Sequence, residues 1–349
     1  MAKREDLKGL TAVSNNAGAG EDGGLAPLVR NGQVNKMILS FLGSNKVLEK
    51  LYLSAWRHSF VGLHNADALL QLAKYRSSFA VSPESTVAPA EADSPIAAQG
   101  TLAERIRCAG SGIPAFYTPT GVGTFVQSGE IPVRFGPKDA QGNLSVLVSG
   151  TPRETRLFDG KVYNMEKALR GDVAVIRAHK VDKAGNCIFR YTTKAFGPLM
   201  AQAAPLTIVE AEEIVEIGEL HPDAIDLPGI FVDRIVPATV PKKLEVVKTA
   251  EGQAAAANGE GSKELPPALV RRNRIAKRAA KELTDGSYIN LGVGMPTLAP
   301  SYLDPSTQVW IQSENGLLGM GPYPKKDEVD PDLINAGKET GASRPCLCS

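Results

Sequence analysis

The stretch Asp172-Val173-Ala174-Val175-Ile176-Arg177-Ala178, with the Asp182-Lys183-Ala184-Gly185-Asn186 and Cys187-Ile188-Phe189-Arg190-Tyr191 that follow it, decides the fold class. Its near-continuous run of β-branched and apolar residues reads as a buried strand. The Asp, Gly and Asn that follow have turn chemistry, and Cys187–Tyr191 returns as a second strand, making a hairpin. Outward from there, residues 207–215 and 231–236 read as further strands and residues 166–169 as a short helix. Near the amino end, Leu10-Thr11-Ala12-Val13 is a strand running into the small polar turn Ser14-Asn15-Asn16-Ala17-Gly18. A short helix over 24–30 and a strand over 34–42 complete a βαβ unit. Another helix starts near Gly100, with Thr101 as cap, Glu104 three residues on, and Leu102, Ala103 and Ile106 on its apolar face. Alternating strands and helices predict an α/β fold with a mostly parallel sheet.

At 349 residues the chain has room for two domains with sizeable cores, at about 150 residues each. Composition divides it into an amino-terminal domain over 1–249, a Gly/Ala/Asn/Ser-rich linker over 250–267, and a second domain over 268–349. Inside the first, residues 55–98 change character and read as an atypical insertion at the surface. Residues 82–97 are rich in Ser, Ala, Pro and Glu and poor in large apolar side chains, while 56–75 are apolar enough for a helix. After the linker, the basic run from Arg271 to Lys281 reads as an amphipathic helix. Its apolar face is predicted at Ile275, Ala279 and Leu283, with the cations in water.

Hydrophobic residues make up 43% of the chain and charged ones 22%, an ordinary globular balance. Thirty-nine Lys and Arg against 38 Asp and Glu predict neither nucleic-acid nor membrane binding. The basic run lacks the aromatic or groove-reading company of a nucleic-acid site, and no apolar run reaches the roughly 18 residues of a membrane helix. Of four cysteines, Cys108 and Cys187 read as buried free thiols, and Cys346 and Cys348 form a C-x-C without a second pair. The four histidines show no metal-ligand spacing, so no metal site is predicted. Residues 1–8 lack an apolar core, so no secretory signal is expected there.

Two glycine-bearing turns concentrate the chemistry. Ser287-Tyr288-Ile289-Asn290-Leu291 is a strand ending in Gly292-Val293-Gly294-Met295-Pro296, and Val309-Trp310-Ile311-Gln312 delivers Ser313-Glu314-Asn315-Gly316. Both turns follow strands, and in an open α/β sheet that carboxyl edge is where ligands bind. Glu314 precedes Asn-Gly, a pair that tolerates a tight turn, so its carboxylate can be presented to a substrate as a nucleophile. On local grounds alone, a solvated turn residue is the commoner case.

The residues from Ile311 to Gly319 resemble the signature around the nucleophile of the family I CoA-transferases, of the succinyl-CoA:3-ketoacid type. Met320-Gly321-Pro322-Tyr323-Pro324, the run from Asp332 to Thr340, the run from Ser111 to Gly121, and that from Leu10 to Gly18 are similar to other motifs of those enzymes, in the same order. The resemblance covers most of the chain outside 55–98 and the last nine residues. It implies two related open-sheet α/β domains, the second incomplete, because the family's sequence continues past Thr340. A Gly-Gly-Phe-rich loop expected ahead of Leu7 is missing, and Ile311 stands where the family has Leu or Phe.

What the resemblance implies for function is specific. Glu314 would be the catalytic residue, carrying CoA as a glutamyl thioester between succinyl-CoA and a 3-oxo acid such as acetoacetate. Asn15, Gln99 and Asn290 match polar residues that aim at the oxyanion or position substrate; without the resemblance they read as turn-stabilising amides. Gly292, Gly294, Gly112, Asn315 and Gly316 would shape the loops around CoA and the acyl group. No cofactor is implied, since the CoA thioester is a substrate. Intact relatives of this type are homodimers of the mitochondrial matrix. Acetate or another short acid as acceptor, or a non-catalytic chain pairing with an intact relative, are the alternatives. The incomplete second domain carries the expectation of weak or absent activity in this chain alone.

Overall fold

A computed structural model describes residues 6–15, 18, 24–40, 45, 48, 78–81, 98–141, 143–242, 244, 246–251, 266–292, 294–304, 306–313, 316–335 and 339–342, with 78–81, 137 and 138 described for the backbone only. They form two compact units, one running to Thr239 without residues 190–193, the other comprising 190–193 and the chain from Val240 onward.

The first unit opens with strand β1 (Leu10–Ser14), helix α1 (Ala26–Arg30) and strand β2 (Val34–Leu39). β1 and β2 pair in parallel, with Val13 opposite Ile38 and Ser14 opposite Leu39, so the predicted βαβ unit is present. Strand β3 (Ser78–Val81) lies antiparallel to β1. Helix α2 (Gln99–Gly110) buries Leu102, Ile106 and Ala109, one stripe at helical spacing, and leaves the Glu104–Arg107 pair outside. There follow β4 (Ala115–Thr118), α3 (Phe125–Ser128), β5 (Arg134–Lys138), β6 (Leu144–Val148), β7 (Thr155–Phe158) and β8 (Lys161–Lys167). Strands β9 (Val173–Asp182) and β10 (Cys187–Ile188), helix α4 (Gly197–Gln202), and strands β11 (Leu206–Val215) and β12 (Arg234–Pro237) finish the unit.

Its main sheet has the order β12-β11-β9-β3-β1-β2, with β10 added alongside β9. β12, β11 and β9 are mutually parallel, as are β1 and β2; β3 runs antiparallel to both of its neighbours. The core lies between this sheet and helices α2 and α4, built from Val13, Ile38, Leu102, Ile106, Ile176, Met200 and Val209. Gly110 lets the two helices meet: a Cβ there would sit 3.0 Å from Cβ of Gln202. The turn after β9 is organised as its sequence predicts, with Asp182 accepting from the backbone N–H of Ala184 and Asn186 at 2.9 Å. Cys108 and Cys187 are buried free thiols. Burial, with Asp182 and Asp226 nearby, pushes the Cys187 thiol up to about 12.

Several expectations are corrected. Residues 166–169 do not form a helix: Glu166 belongs to β8, paired with β4 and β7, and its carboxylate is buried at 3.0 Å from Nε of Arg153. Good helix formers there are overridden by the hairpin turn at Asp159-Gly160, both at positive φ. Thr101 does not cap α2; the N-cap is Ala98, and Thr101 is buried within the first turn. The strand expected over 231–236 begins only at Arg234, residues 229–231 being a 3-10 turn. Part of the region read as a surface insertion, Ser78–Val81, is a strand in the middle of the main sheet. The helix expected over 56–75 lies outside the described residues.

The second unit contains helix α5 (Pro267–Ala280), strands β13 (Tyr288–Asn290) and β14 (Trp310–Gln312), and a 3-10 segment over Met295–Tyr302. β13 and β14 are parallel, with Asn290 opposite Gln312. α5 is the predicted basic helix, but its buried face is Ala276 and Ala280, while Ile275 is 52% exposed. Among the described residues, no helix is long and apolar enough to cross a membrane.

Candidate functional site

Because β13 and β14 are adjacent and parallel, the turns that follow them open on the same edge. Leu291 N–H donates to the Gln312 carbonyl (3.0 Å) and Ser313 Oγ donates to the Leu291 carbonyl (2.9 Å), lacing the two strand ends together. Beyond β14 the chain reverses at once. Gln312 forms an antiparallel bridge with Leu318, and Gly319 N–H donates to the Ile311 carbonyl at 2.9 Å. Gly316, just ahead of the returning segment, has φ 77°. Gly294 has φ 98° and ψ −126°, a backbone region only glycine occupies readily. Gly292 has no such requirement and faces open space.

Of the residues singled out from sequence, Glu314 and Asn315 lie outside the described residues; Ser313 and Gly316, which flank them, do not. Asn290 ends β13 at this shared edge and is exposed, and Gly292, Gly294 and Gly316 follow the two strands in sequence. Asn15, Gln99 and Gly112 belong to the first unit. Asn15 follows β1 and is buried. Ser40, past the end of β2, donates through its backbone N–H (3.3 Å) and Oγ (3.1 Å) to the Asn15 carbonyl, and Oγ also contacts Asn15 Oδ1. The Asn15 Nδ2 is buried with no hydrogen-bond partner among the described residues. Such a donor is costly unless something accepts from it. Gln99 is the first residue of α2 and Gly112 lies beyond its last, so roughly 18 Å of helix separates them. They do not form one cluster.

Sequence reading missed a polar clamp in the second unit. Glu339 accepts from Tyr323 Oη (2.7 Å) and Asn335 Nδ2 (3.1 Å), and pairs with Lys248 Nζ at 2.5 Å. Burial works to raise the Glu339 carboxyl, but the hydrogen bonds from Lys248, Tyr323 and Asn335 outweigh it and hold it below the ordinary range. Burial pushes the Tyr323 phenol well above its usual value, and donation to Glu339 adds to the effect. Tyr323 and Asn335 also line a cavity of about 390 Å³ in this unit, with Ser313, Ile311 and Leu317 on its wall. The signal was present as closely spaced Tyr, Asn and Glu, but Lys248 is distant in sequence.

A model of the coenzyme A transferase family matches residues 2–61, 56–238 and 272–345. The mitochondrial succinyl-CoA:3-ketoacid coenzyme A transferase 2B of Mus musculus is 41% identical over 347 residues, 99% of this chain and 58% of that protein. The mitochondrial succinyl-CoA:3-ketoacid coenzyme A transferase 2 of Homo sapiens is 40% identical over 349 residues, 99% of this chain and 57% of that protein. Among solved structures, the apoenzyme of an acyl-CoA transferase from Escherichia coli O157:H7 has a similar fold. Its TM-score is 0.63 at 20% identity, over 98% of this chain and 56% of that chain. The chain thus spans under two thirds of the length of the two mammalian relatives and of the solved structure.

Proposed function

This chain belongs to the coenzyme A transferase family, and we propose that it moves CoA from succinyl-CoA to a 3-oxo acid through a thioester on Glu314. The observation that carries this reading is the carboxyl edge shared by β13 and β14, where Ser313, the residue before Glu314 in sequence, donates to the Leu291 carbonyl.

In this mechanism the Glu314 carboxylate attacks the thioester carbonyl of succinyl-CoA, and the C–S bond breaks to give a succinyl-glutamyl anhydride and CoA thiolate. The thiolate attacks the glutamyl carbonyl, forming the enzyme thioester and releasing succinate. The carboxylate of the 3-oxo acid then displaces the thiolate to form a second anhydride. Attack of the thiolate on the acceptor's acyl carbonyl yields the new acyl-CoA and restores Glu314. Each addition develops an oxyanion that needs donors already in place. The buried Nδ2 of Asn15, without a hydrogen-bond partner among the described residues, supports that role for Asn15, and the exposure of Asn290 at the edge supports a positioning role. Gln99 is proposed for the same task on resemblance alone. Gly292 and Gly294 keep their side of the edge open, Gly316 turns the chain beyond Glu314 and Asn315, and Gly112 is assigned to an acyl-pocket loop. The steps call for no cofactor.

The substrates and a mitochondrial location follow the named relatives. The homodimeric state and placement in the matrix follow the family resemblance. Incubation with succinyl-CoA followed by borohydride, then peptide mass spectrometry, tests the mechanism. Reduction mapped to Glu314, and lost in Glu314→Ala, is the expected result; an unmodified Glu314 overturns it. Parallel assays with acetoacetate and acetate separate the acceptors.

A further inference from the structure

Helix α5 concentrates positive charge that its surroundings leave uncompensated. The run 271–281 holds six Lys and Arg and no acid, in a chain whose net charge is only +1. At about 100° per residue, the side opposite the buried Ala276 and Ala280 presents Arg271, Arg274, Lys277, Arg278 and Lys281, all exposed. Arg278 pairs with Glu282 at 2.5 Å, with side chains 67% and 70% exposed. Among the described residues, no ion pair engages the other four. Cations three and four apart on a helix repel one another, and no acidic residue in the first turn offsets them. Val270, 49% exposed, lies among these cations, and Ile275, 52% exposed, at their margin.

The outer face of a helix is convex, whereas small-molecule sites are concave. Over its 14 residues α5 runs roughly 21 Å, so the stripe suits an extended anionic surface. The helix carries no aromatic side chain to stack on bases. Aliphatic side chains set among cations match a bilayer, where apolar acyl chains begin just beneath charged headgroups.

We propose that the outer face of α5 docks on the surface of an anionic phospholipid bilayer, with its cations at the headgroups and Val270 and Ile275 reaching between them. The helix lies flat on the interface and does not span it. This attachment is independent of the CoA-transfer reading.

The full chain is sedimented with vesicles of phosphatidylcholine alone and of phosphatidylcholine mixed with phosphatidylserine. Binding to the mixed vesicles only, weakening as salt is raised, is the expected result. Each cation near such a surface contributes about fivefold in affinity. The double variant Arg274→Gln, Lys277→Gln should therefore bind about 25-fold more weakly, with an unchanged circular dichroism spectrum. Arg271→Gln with Lys281→Gln should give the same loss from the two ends of the stripe if the first pair fails to fold. Lys161→Gln, at an exposed cation on β8, should bind as the parent does. Equal binding to both kinds of vesicle, binding to neither, or undiminished binding by both double variants overturns the proposal. So does tighter retention by duplex RNA than by the mixed vesicles, which assigns the face to nucleic acid.

Discussion

Both units contain buried ion pairs, Arg153–Glu166 in the first among them, but they differ in how much apolar core stands behind those pairs. The first has a wide, mostly parallel sheet whose buried apolar cluster runs from Val13 through Ile176 to Leu227. The second has two three-residue strands over a cluster of only three buried residues among those described, Ile289, Leu291 and Val309. Beside that small cluster it holds buried polar contacts. Asp332, 1% exposed, is paired with Lys242 and, at 3.7 Å, with Arg190, and Glu339 is held by Lys248, Tyr323 and Asn335. Burying apolar area stabilises directly. Buried ion pairs largely repay their own desolvation and become costly when one member is removed. The contrast predicts two separable unfolding transitions, with the second unit opening at lower denaturant and exchanging its amide hydrogens sooner.

The hardest test of that contrast is Ile176→Ala, which removes a side chain 1% exposed at the centre of the larger cluster. It should cost about 3–4 kcal/mol and move only the higher transition in a urea titration monitored by circular dichroism. A shift of both transitions together would make the units one cooperative body. Next in size is Asp332→Ala, which leaves Lys242, 15% exposed, without its carboxylate. A loss of about 2 kcal/mol is expected in the lower transition alone.

A smaller effect sharpens how the clamp works. The folded Glu339 carboxyl is held below its unfolded value, so its contribution is fully present above the ordinary glutamate range. That contribution is lost as the pH falls through the lower, folded value. In Glu339→Gln the second unit should lose about 1 kcal/mol at pH 7. The difference from the parent should shrink progressively as the pH is lowered below ~4. A constant difference across that range would show that the charge of Glu339 is not what holds the turn.

Legibility followed the same division. The βαβ unit from Leu10 to Leu39 and the strands read over 172–178 and 207–215 were legible because buried parallel strands advertise themselves as apolar runs, although the first of these strands runs on to Asp182. So were Gly294 and Gly316, whose positive φ suits a residue without a side chain. Strand β8 was hidden because Glu166, Lys167, Ala168 and Leu169 favour helix locally, while pairing with Phe116 and Tyr117 is long-range information. The strand at Ser78–Val81 was hidden between the run 56–75, apolar enough to suggest a helix, and the Ser/Ala/Pro/Glu-rich run 82–97. In the candidate site the edge was legible, but not the buried Nδ2 of Asn15 or the Lys248–Glu339 pair. Both depend on contacts between distant segments.

Helix α5 shows how a correct element can carry a misplaced face, and it supplies the smallest test. Ile275, Ala279 and Leu283 repeat every four residues and attract a reading by hydrophobicity, yet alanines 276 and 280 are the ones buried. Where a helix packs closely, a small side chain is what the contact requires, and the larger Ile275 turns to solvent. Ile275→Lys should therefore change the stability of the second unit by no more than about 0.5 kcal/mol. Ala276→Lys, one residue along, should destabilise it by several times that amount, because it buries a charge without a partner. If urea titrations instead show Ile275→Lys as the costly change, the apolar face lies where the four-residue repeat first put it.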